Sequence, residues 1–295
     1  MGRSPTILTE FLLCLFLKSK ALKPLEIIDQ SVFIILFTRS SPRSLLLGLD
    51  HIWSILSRHI KQLLCQAKEE PIMLLFVQEL IHTIGRIKGR KGYMAIKIYL
   101  EKAYDKIEWS FIREMLIKFN FPADLIDLIM SCVFSVSTSL LFNGGCIDSF
   151  CPARGIRQGD PLSPYLFILC MEFLGHLIQE KCDAKLWSPV KASRSGPSFS
   201  HLFFGDDLVL FASADPNNCH TIKAVLNEFC LRSGQSVSEA KSRVFFSPNV
   251  ELDQRDFLSD ILGFNSTPNL RKYLGLPLKH AGNHKHDFDF VLDRV

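Results

Sequence analysis

The spacing of apolar and polar residues changes character at about Pro71, and nearly every predicted element lies after that point. Residues 1–70 are rich in Leu, Ile, Phe and Ser but hold neither a 3.6 nor a 2.0 period for long; only Ile52–Leu64 fits an amphipathic helix. Leu74–Ile84 then reads as a helix. In MAIKIY, Met94, Ile96 and Ile98 alternate with Ala95, Lys97 and Tyr99, the period of a strand with one face in the core. Trp109, Ile112, Leu116 and Phe119 recur at helical spacing. Phe121-Pro122 ends that helix and opens a second one carrying Leu125, Ile126, Ile129 and Met130. Alternation from Phe134 to Phe142 predicts a strand, and Asn143-Gly144-Gly145 offers the positive-φ residues of a tight hairpin turn. A long apolar helix follows from Pro164 to about Gln179. Beyond it, HLFF and LVLFA read as strands bracketing Gly205-Asp206-Asp207, Ile222, Val225, Leu226 and Phe229 as a helix, and KYLGLPL as a short hairpin. Irregular alternation of strands and helices, with strands joined by short turns, predicts an α+β architecture: an antiparallel sheet with helices on one face.

Composition narrows this picture only a little. A chain of 295 residues, 47% hydrophobic, is long enough to bury a sizeable core. A net charge of +4 with 22% charged residues suits local contact with phosphates and falls far short of a histone-like balance. The nine cysteines form no CxxC pair and no zinc-spaced set with histidine, so they read as reduced thiols. The apolar run Phe11–Leu17 is bounded by Glu10 and Lys18, well below the roughly 20 residues of a membrane-spanning helix. No membrane partner is expected. GRIKGRKG, from Gly85 to Gly92, is either a solvated loop or a phosphate contact through Arg86, Lys88, Arg90 and Lys91.

The chemistry concentrates at two places. Asp206 and Asp207 lie between apolar strands, where adjacent carboxylates repel and lose hydration unless a cation compensates; Gly-Asp also makes ordinary hairpin turns. ARGIRQGDPLSP, from Ala153 to Pro164, sets glycines, Arg157 and Gln158 around Asp160 just before a helix. Its backbone amides can approach a flat base and sugar, or the loop is simply a strained helix cap.

Taken in order, these strings resemble the reverse transcriptases of non-LTR, LINE-type retrotransposons, most closely those of plants. KIYLEKAYDKIEW is similar to motif A, GIRQGDPLSP to motif B, HLFFGDDLVLF to motif C, SGQSVSEAKS to motif D and KYLGLPL to the element after it, over about Leu75–Val295. The resemblance implies a right-hand polymerase palm at 71–250, continuing at 251–295 into the palm end and the start of a thumb, with 1–70 unassigned and fingers and thumb incomplete. It implies RNA-directed DNA polymerisation, with an RNA template, a DNA primer and deoxynucleoside triphosphates as partners and two Mg²⁺ ions as cofactors. An active copy would work in the nucleus; no protein partner is implied. Asp206 corresponds to the bridging metal ligand, Asp207 to its supporting carboxylate and Lys241 to the basic residue near the triphosphate. Tyr104 matches the aromatic residue that closes over the sugar, with core packing as its alternative, while Arg157, Gln158 and Gly159 match residues near the incoming nucleotide.

One position departs from the family. Motif A carries an aspartate six residues before the position of Asp105, and here that residue is Tyr99. A neutral phenol cannot bridge two Mg²⁺ at about 2.1 Å as a carboxylate does, and Glu101 lies one strand repeat, about 6.6 Å, further on. Asp105 is expected to cap the following turn. The expectation is a degenerate copy without polymerase activity. The alternatives are a catalytically dead nucleic-acid-binding relic and an RNA-directed RNA polymerase, against which motif B and Tyr104 argue.

Overall fold

The computed structural model describes residues 75–278 except positions 147, 161, 193–195, 206, 271, 274 and 275. The helix expected over Ile52–Leu64, segment 1–70, the thumb start and Asp206 all lie outside the described residues. In chain order the elements are α1 (75–86), β1 (Tyr93–Tyr99), α2 (Ala103–Lys106), α3 (Trp109–Lys118), α4 (Ala123–Phe134), β2 (Leu141–Phe142) and β3 (Gly145–Cys146). Then come α5 (Ser163–Asp183), β4 (Val190–Lys191), β5 (Ser198–Phe199), β6 (His201–Phe204), β7 (Asp207–Ser213) and α6 (Pro216–Ser233). The described part ends with β8 (Arg243–Phe246), α7 (Leu252–Leu262), β9 (Asn265–Ser266), β10 (Lys272–Tyr273) and β11 (Leu276–Pro277). The fold is mixed α and β. The chain divides into two compact units, one holding Tyr104–Cys170, the other the stretches that end at Ala103 and begin at Met171.

The second unit is built on a five-stranded sheet in the order β6-β7-β1-β8-β9. β1 is antiparallel to both β7 and β8, and only the β8–β9 pair is parallel. Expectation and structure differ over the faces of this sheet. Met94 to Ile98 are all buried, because β1 is central and both of its faces are covered. On one face Ala95, Val209, Phe211 and Phe245 pack with Val77, Leu80, Ile81 and Ile84 of α1. On the other, Met94 meets Cys219 of α6, sulfur to sulfur at 3.9 Å. Helices therefore cover two faces rather than one. The limits of α6 follow its sequence: the Asp215 side chain accepts from the Asn218 N–H, Pro216 starts the helix, and Gly234 ends it at φ 76°.

At the sheet edge, the His201 ring lies 4.5 Å from that of Phe203, with Nδ1 3.0 Å from the Ser200 hydroxyl. Burial pushes this imidazole down from 6.5 to about 4. A depressed histidine keeps its stabilising contribution above the unfolded value and loses it as pH falls, since only the unfolded chain takes up the proton. Between pH 6.5 and 4 the chain is expected to lose up to about 3 kcal/mol more stability than a His201→Gln variant. Denaturant melts of both proteins across that range measure the difference; parallel pH profiles would remove His201 as the cause.

In the first unit α3 and α4 bury Phe111, Ile112, Met115 and Leu116 together with Leu125, Ile126, Ile129, Met130 and Val133. The strand expected over Phe134–Phe142 does not form as such. α4 runs on to Phe134, whose ring meets Trp109 edge-on at 5.0 Å. The i, i+4 spacing of buried residues extends through Leu125, Ile129 and Val133 and outweighs the alternation that begins at its end. What remains is a two-residue pairing of β2 with β3 around Asn143-Gly144, together with one bridge from Thr138 to Phe150.

Candidate functional site

The β6–β7 hairpin forms, but Asp207, expected in its turn between the two strands, is instead paired within β7. Phe204 pairs with Asp207, and Gly205 turns the chain after β6 at φ 57°. Asp207 is thus the first residue of β7 and stands directly opposite Tyr99, the last residue of β1. Residues facing each other across a strand pair share a sheet face, as do residues two apart on one strand, so Lys97, Tyr99 and Asp207 all present to the same side. Lys97 Nζ lies 3.1 Å from Asp207 Oδ1 and 4.8 Å from the centre of the Tyr99 ring. Lys97 is buried, whereas the Tyr99 side keeps 36% of its surface exposed. A buried ammonium persists only with a partner, and the diagonal carboxylate and the ring face supply one.

The backbone of Tyr99 is gripped from the segment that carries Lys241. Its N–H donates to Ser242 Oγ at 3.1 Å, its carbonyl accepts from the Ser238 N–H at 2.8 Å, and the Glu101 N–H donates to the Ser236 carbonyl at 2.8 Å. Lys241 is exposed on the turn closed by these contacts. Tyr99, Asp207 and the Lys241 turn therefore meet at one end of the sheet. Lys97 was not among the candidates, yet it had a signal: one charge inside an otherwise apolar strand, two residues before the position in question.

Tyr104, Arg157, Gln158 and Gly159 belong to the first unit. The loop 153–160 docks backbone to backbone on α2 and its exit. The Gly155 N–H donates to the Ile107 carbonyl and the Ile156 N–H to the Tyr104 carbonyl, each at 2.8 Å, while Trp109 Nε1 donates to the Gly155 carbonyl at 2.7 Å. Gly155, at φ 88°, is required by this contact: a Cβ there would stand 2.7 Å from the Asp105 carbonyl oxygen. The close approach expected to receive a base is, at this glycine, an approach of the protein to itself. Gly159, at φ 86°, has open space around it, and Arg157 and Gln158 are exposed beside it. The Tyr104 ring stacks on Phe167 of α5 with centroids 4.9 Å apart and planes 11° apart, the packing alternative for this residue. Asp105 lies within α2 rather than before it, so it is no N-terminal cap; its carbonyl is what Gly155 rests against. Asp160 is the residue that caps, accepting from the Leu162 N–H at 2.9 Å ahead of α5.

The basic stretch links α1 to β1 and lies at the Tyr93 end of that strand. Tyr99 is six residues further on, a separation of roughly 20 Å along the strand. Arg86, Lys88, Arg90 and Lys91 are all exposed.

Residues 51–278 match the model of the reverse transcriptase (RNA-dependent DNA polymerase) family, well over half of the chain. The chain belongs to the reverse transcriptase family. Among its relatives, the Pol polyprotein of the type-2 retrotransposable element R2DM of Drosophila melanogaster is 33% identical over 42% of this chain and 11% of its own length. The Pol polyprotein of the type-1 retrotransposable element R2 of Popillia japonica is 28% identical over 68% of this chain and 33% of its own length. This reverse transcriptase chain thus spans a third or less of these relatives. A solved telomerase from Candida albicans, in complex with a fragment of telomeric RNA, aligns with 60% of this chain and 30% of its own at a TM-score of 0.43 and 15% identity.

Reverse transcriptases work with divalent metal, and the residues at the Tyr99 end can be tested for that fit. Among the described residues no group of three His, Cys, Asp or Glu side chains could hold a metal ion. The one described carboxylate at the junction of β1 and β7, Asp207, already neighbours a buried ammonium, and the residue opposite it is a phenol. Magnesium takes one or two protein carboxylates together with water and substrate phosphates, and Asp207 is the carboxylate that the described residues bring to this end of the sheet. A phenol at position 99 does not fit the place of a carboxylate ligand opposite Asp207.

Proposed function

We propose that this chain is the palm portion of a reverse transcriptase from a LINE-type, non-LTR retrotransposon of plants, and that it holds nucleic acid without extending a primer. The single observation behind this reading is the pairing of Tyr99 with Asp207 at the end of β1, with Lys97 beside both. The plant and LINE assignment rests on the motif strings themselves. Two Mg²⁺ would supply, in an intact member, activation of the primer 3′ hydroxyl and charge relief at the leaving pyrophosphate. In this chain the corresponding ligands are Asp206 and Asp207 without their motif A counterpart.

The remaining roles concern binding. The substrates are an RNA template, a DNA primer and deoxynucleoside triphosphates. Arg157, Gln158 and Gly159 present exposed donors and open backbone to a nucleotide, and Lys241 brings a cation to the Tyr99 end of the sheet. Tyr104 meets the sugar only by leaving its stack on Phe167, which makes it a weaker discriminator than an unstacked aromatic residue. The test measures binding and extension on one primer–template: nanomolar to micromolar binding without added nucleotides in the product supports the reading, and failure to bind any primer–template overturns it.

A further inference from the structure

The stretch Gly85–Gly92 carries four cations and no carboxylate, a charge equal to the +4 of the entire chain. Its backbone is pinned to the body of its unit. Asn249 Nδ2 donates to the carbonyls of Gly89, at 2.6 Å, and Lys91, at 3.0 Å, while the Ala214 N–H donates to the Gly92 carbonyl at 3.0 Å. Asn249 is itself fixed by the Ser247 hydroxyl at 2.6 Å, and Gly92 sits so close that a Cβ there would collide with Val250 Cγ2. The side chains are left to solvent: among the described residues none of the four cations lies at ion-pair distance from a carboxylate. Lys91 alone has a neighbour, the Tyr93 ring at 5.7 Å. A held backbone with exposed, unengaged cations loses little conformational freedom on meeting a partner. The stretch presents no exposed large apolar side chain of the kind that anchors a membrane-surface segment.

We propose that Arg86, Lys88, Arg90 and Lys91 form a docking surface for a nucleic-acid phosphate backbone that is separate from the reaction centre. It would hold the strand outside the nucleotides being copied, since roughly 20 Å along β1 divides it from Tyr99. Phosphates recur every 3.4 Å or so per strand, which makes the separation about six base pairs. The cations read charge and spacing only, so the contact takes any base sequence. The placement relative to a reaction centre rests on the proposed function; the existence of the surface does not.

The test uses the full chain and a variant combining Arg86→Gln, Lys88→Gln, Arg90→Gln and Lys91→Gln, whose backbone anchors are untouched and whose melting temperature should match the parent. Fluorescence anisotropy against salt is read with three probes: a 30-nucleotide RNA, a DNA of the same length, and a five-base-pair primer–template. On both long probes the variant should bind at least about tenfold more weakly at low salt, with the log–log salt slope reduced by roughly 0.7 per lost single-strand contact. Binding of the five-base-pair probe should not change. RNA weakened but not DNA, or the reverse, would overturn recognition by phosphate charge and spacing alone. An unchanged slope on the long probes, no binding of them by the parent, or tighter binding of polyglutamate than of RNA would each overturn the surface. An equal loss on the short probe would overturn its separation from the reaction centre. If no primer–template of any length binds while the loss on the long probes stands, the proposed function fails and the docking surface survives.

Discussion

Primer extension by the unmodified chain is expected to stay at background with Mg²⁺ or Mn²⁺, and any activity should require Tyr99→Asp. The register carries the argument. An aspartate at 99 would place its carboxylate on the same sheet face as Asp207 and directly across from it, whereas the present ring fills that place and lies against Lys97. Divalent binding is therefore expected to strengthen at least about tenfold, or 1.4 kcal/mol, in the Tyr99→Asp variant, as calorimetry or Mn²⁺ resonance would record. Charge stabilisation of a developing alkoxide and pyrophosphate is asked for several kcal/mol, and each 1.36 kcal/mol or so is tenfold in rate, so its loss removes about three orders of magnitude or more. Grip on template and primer is not altered by the substitution and can still limit the rate. Robust magnesium-dependent extension by the unmodified chain, abolished by Asp206→Asn, would refute the argument.

Replacing Gly155 by alanine should cost roughly 3–5 kcal/mol, against about 1 kcal/mol for Gly159→Ala. Both glycines have strongly positive φ, 88° and 86°, so both substitutions carry the left-handed backbone penalty of about 1–2 kcal/mol. Only at Gly155 does the new methyl meet backbone, the Asp105 carbonyl at 2.7 Å. Relief requires the loop to lift, which weakens the bonds from Gly155 to Ile107, from Ile156 to Tyr104 and from Trp109 to Gly155, each worth about 1 kcal/mol. Urea denaturation of the two variants separates collision from conformational strain. Equal losses would mean that the loop yields without breaking its contacts to α2.

The elements set by local pattern were legible from the sequence alone: β1 over MAIKIY, the break at Phe121-Pro122 between α3 and α4, the hairpin of HLFF with LVLFA, and the helix carrying Ile222, Val225, Leu226 and Phe229. Each depends on periods, caps and turn residues within a few positions of one another. The order of motifs likewise sufficed to assign the family, and the tyrosine at position 99 is visible there as a departure. Tertiary structure decided what depends on distant partners. Alternation in MAIKIY reads as a half-buried strand, but β7 and β8 flank it and α1 and α6 cover it, so Lys97 goes inside and needs Asp207, 110 positions along the chain. Phe134 begins an alternating run in sequence, yet it closes the helix whose buried face runs through Leu125, Ile129 and Val133, and its ring meets Trp109. The first glycine of GIRQGDPLSP, Gly155, looks available to a ligand until the Asp105 carbonyl is found against it. Local propensity is written in neighbouring residues, whereas burial on a second face, ion pairing across strands and contact between backbones depend on strand order and register, which no short window of sequence contains.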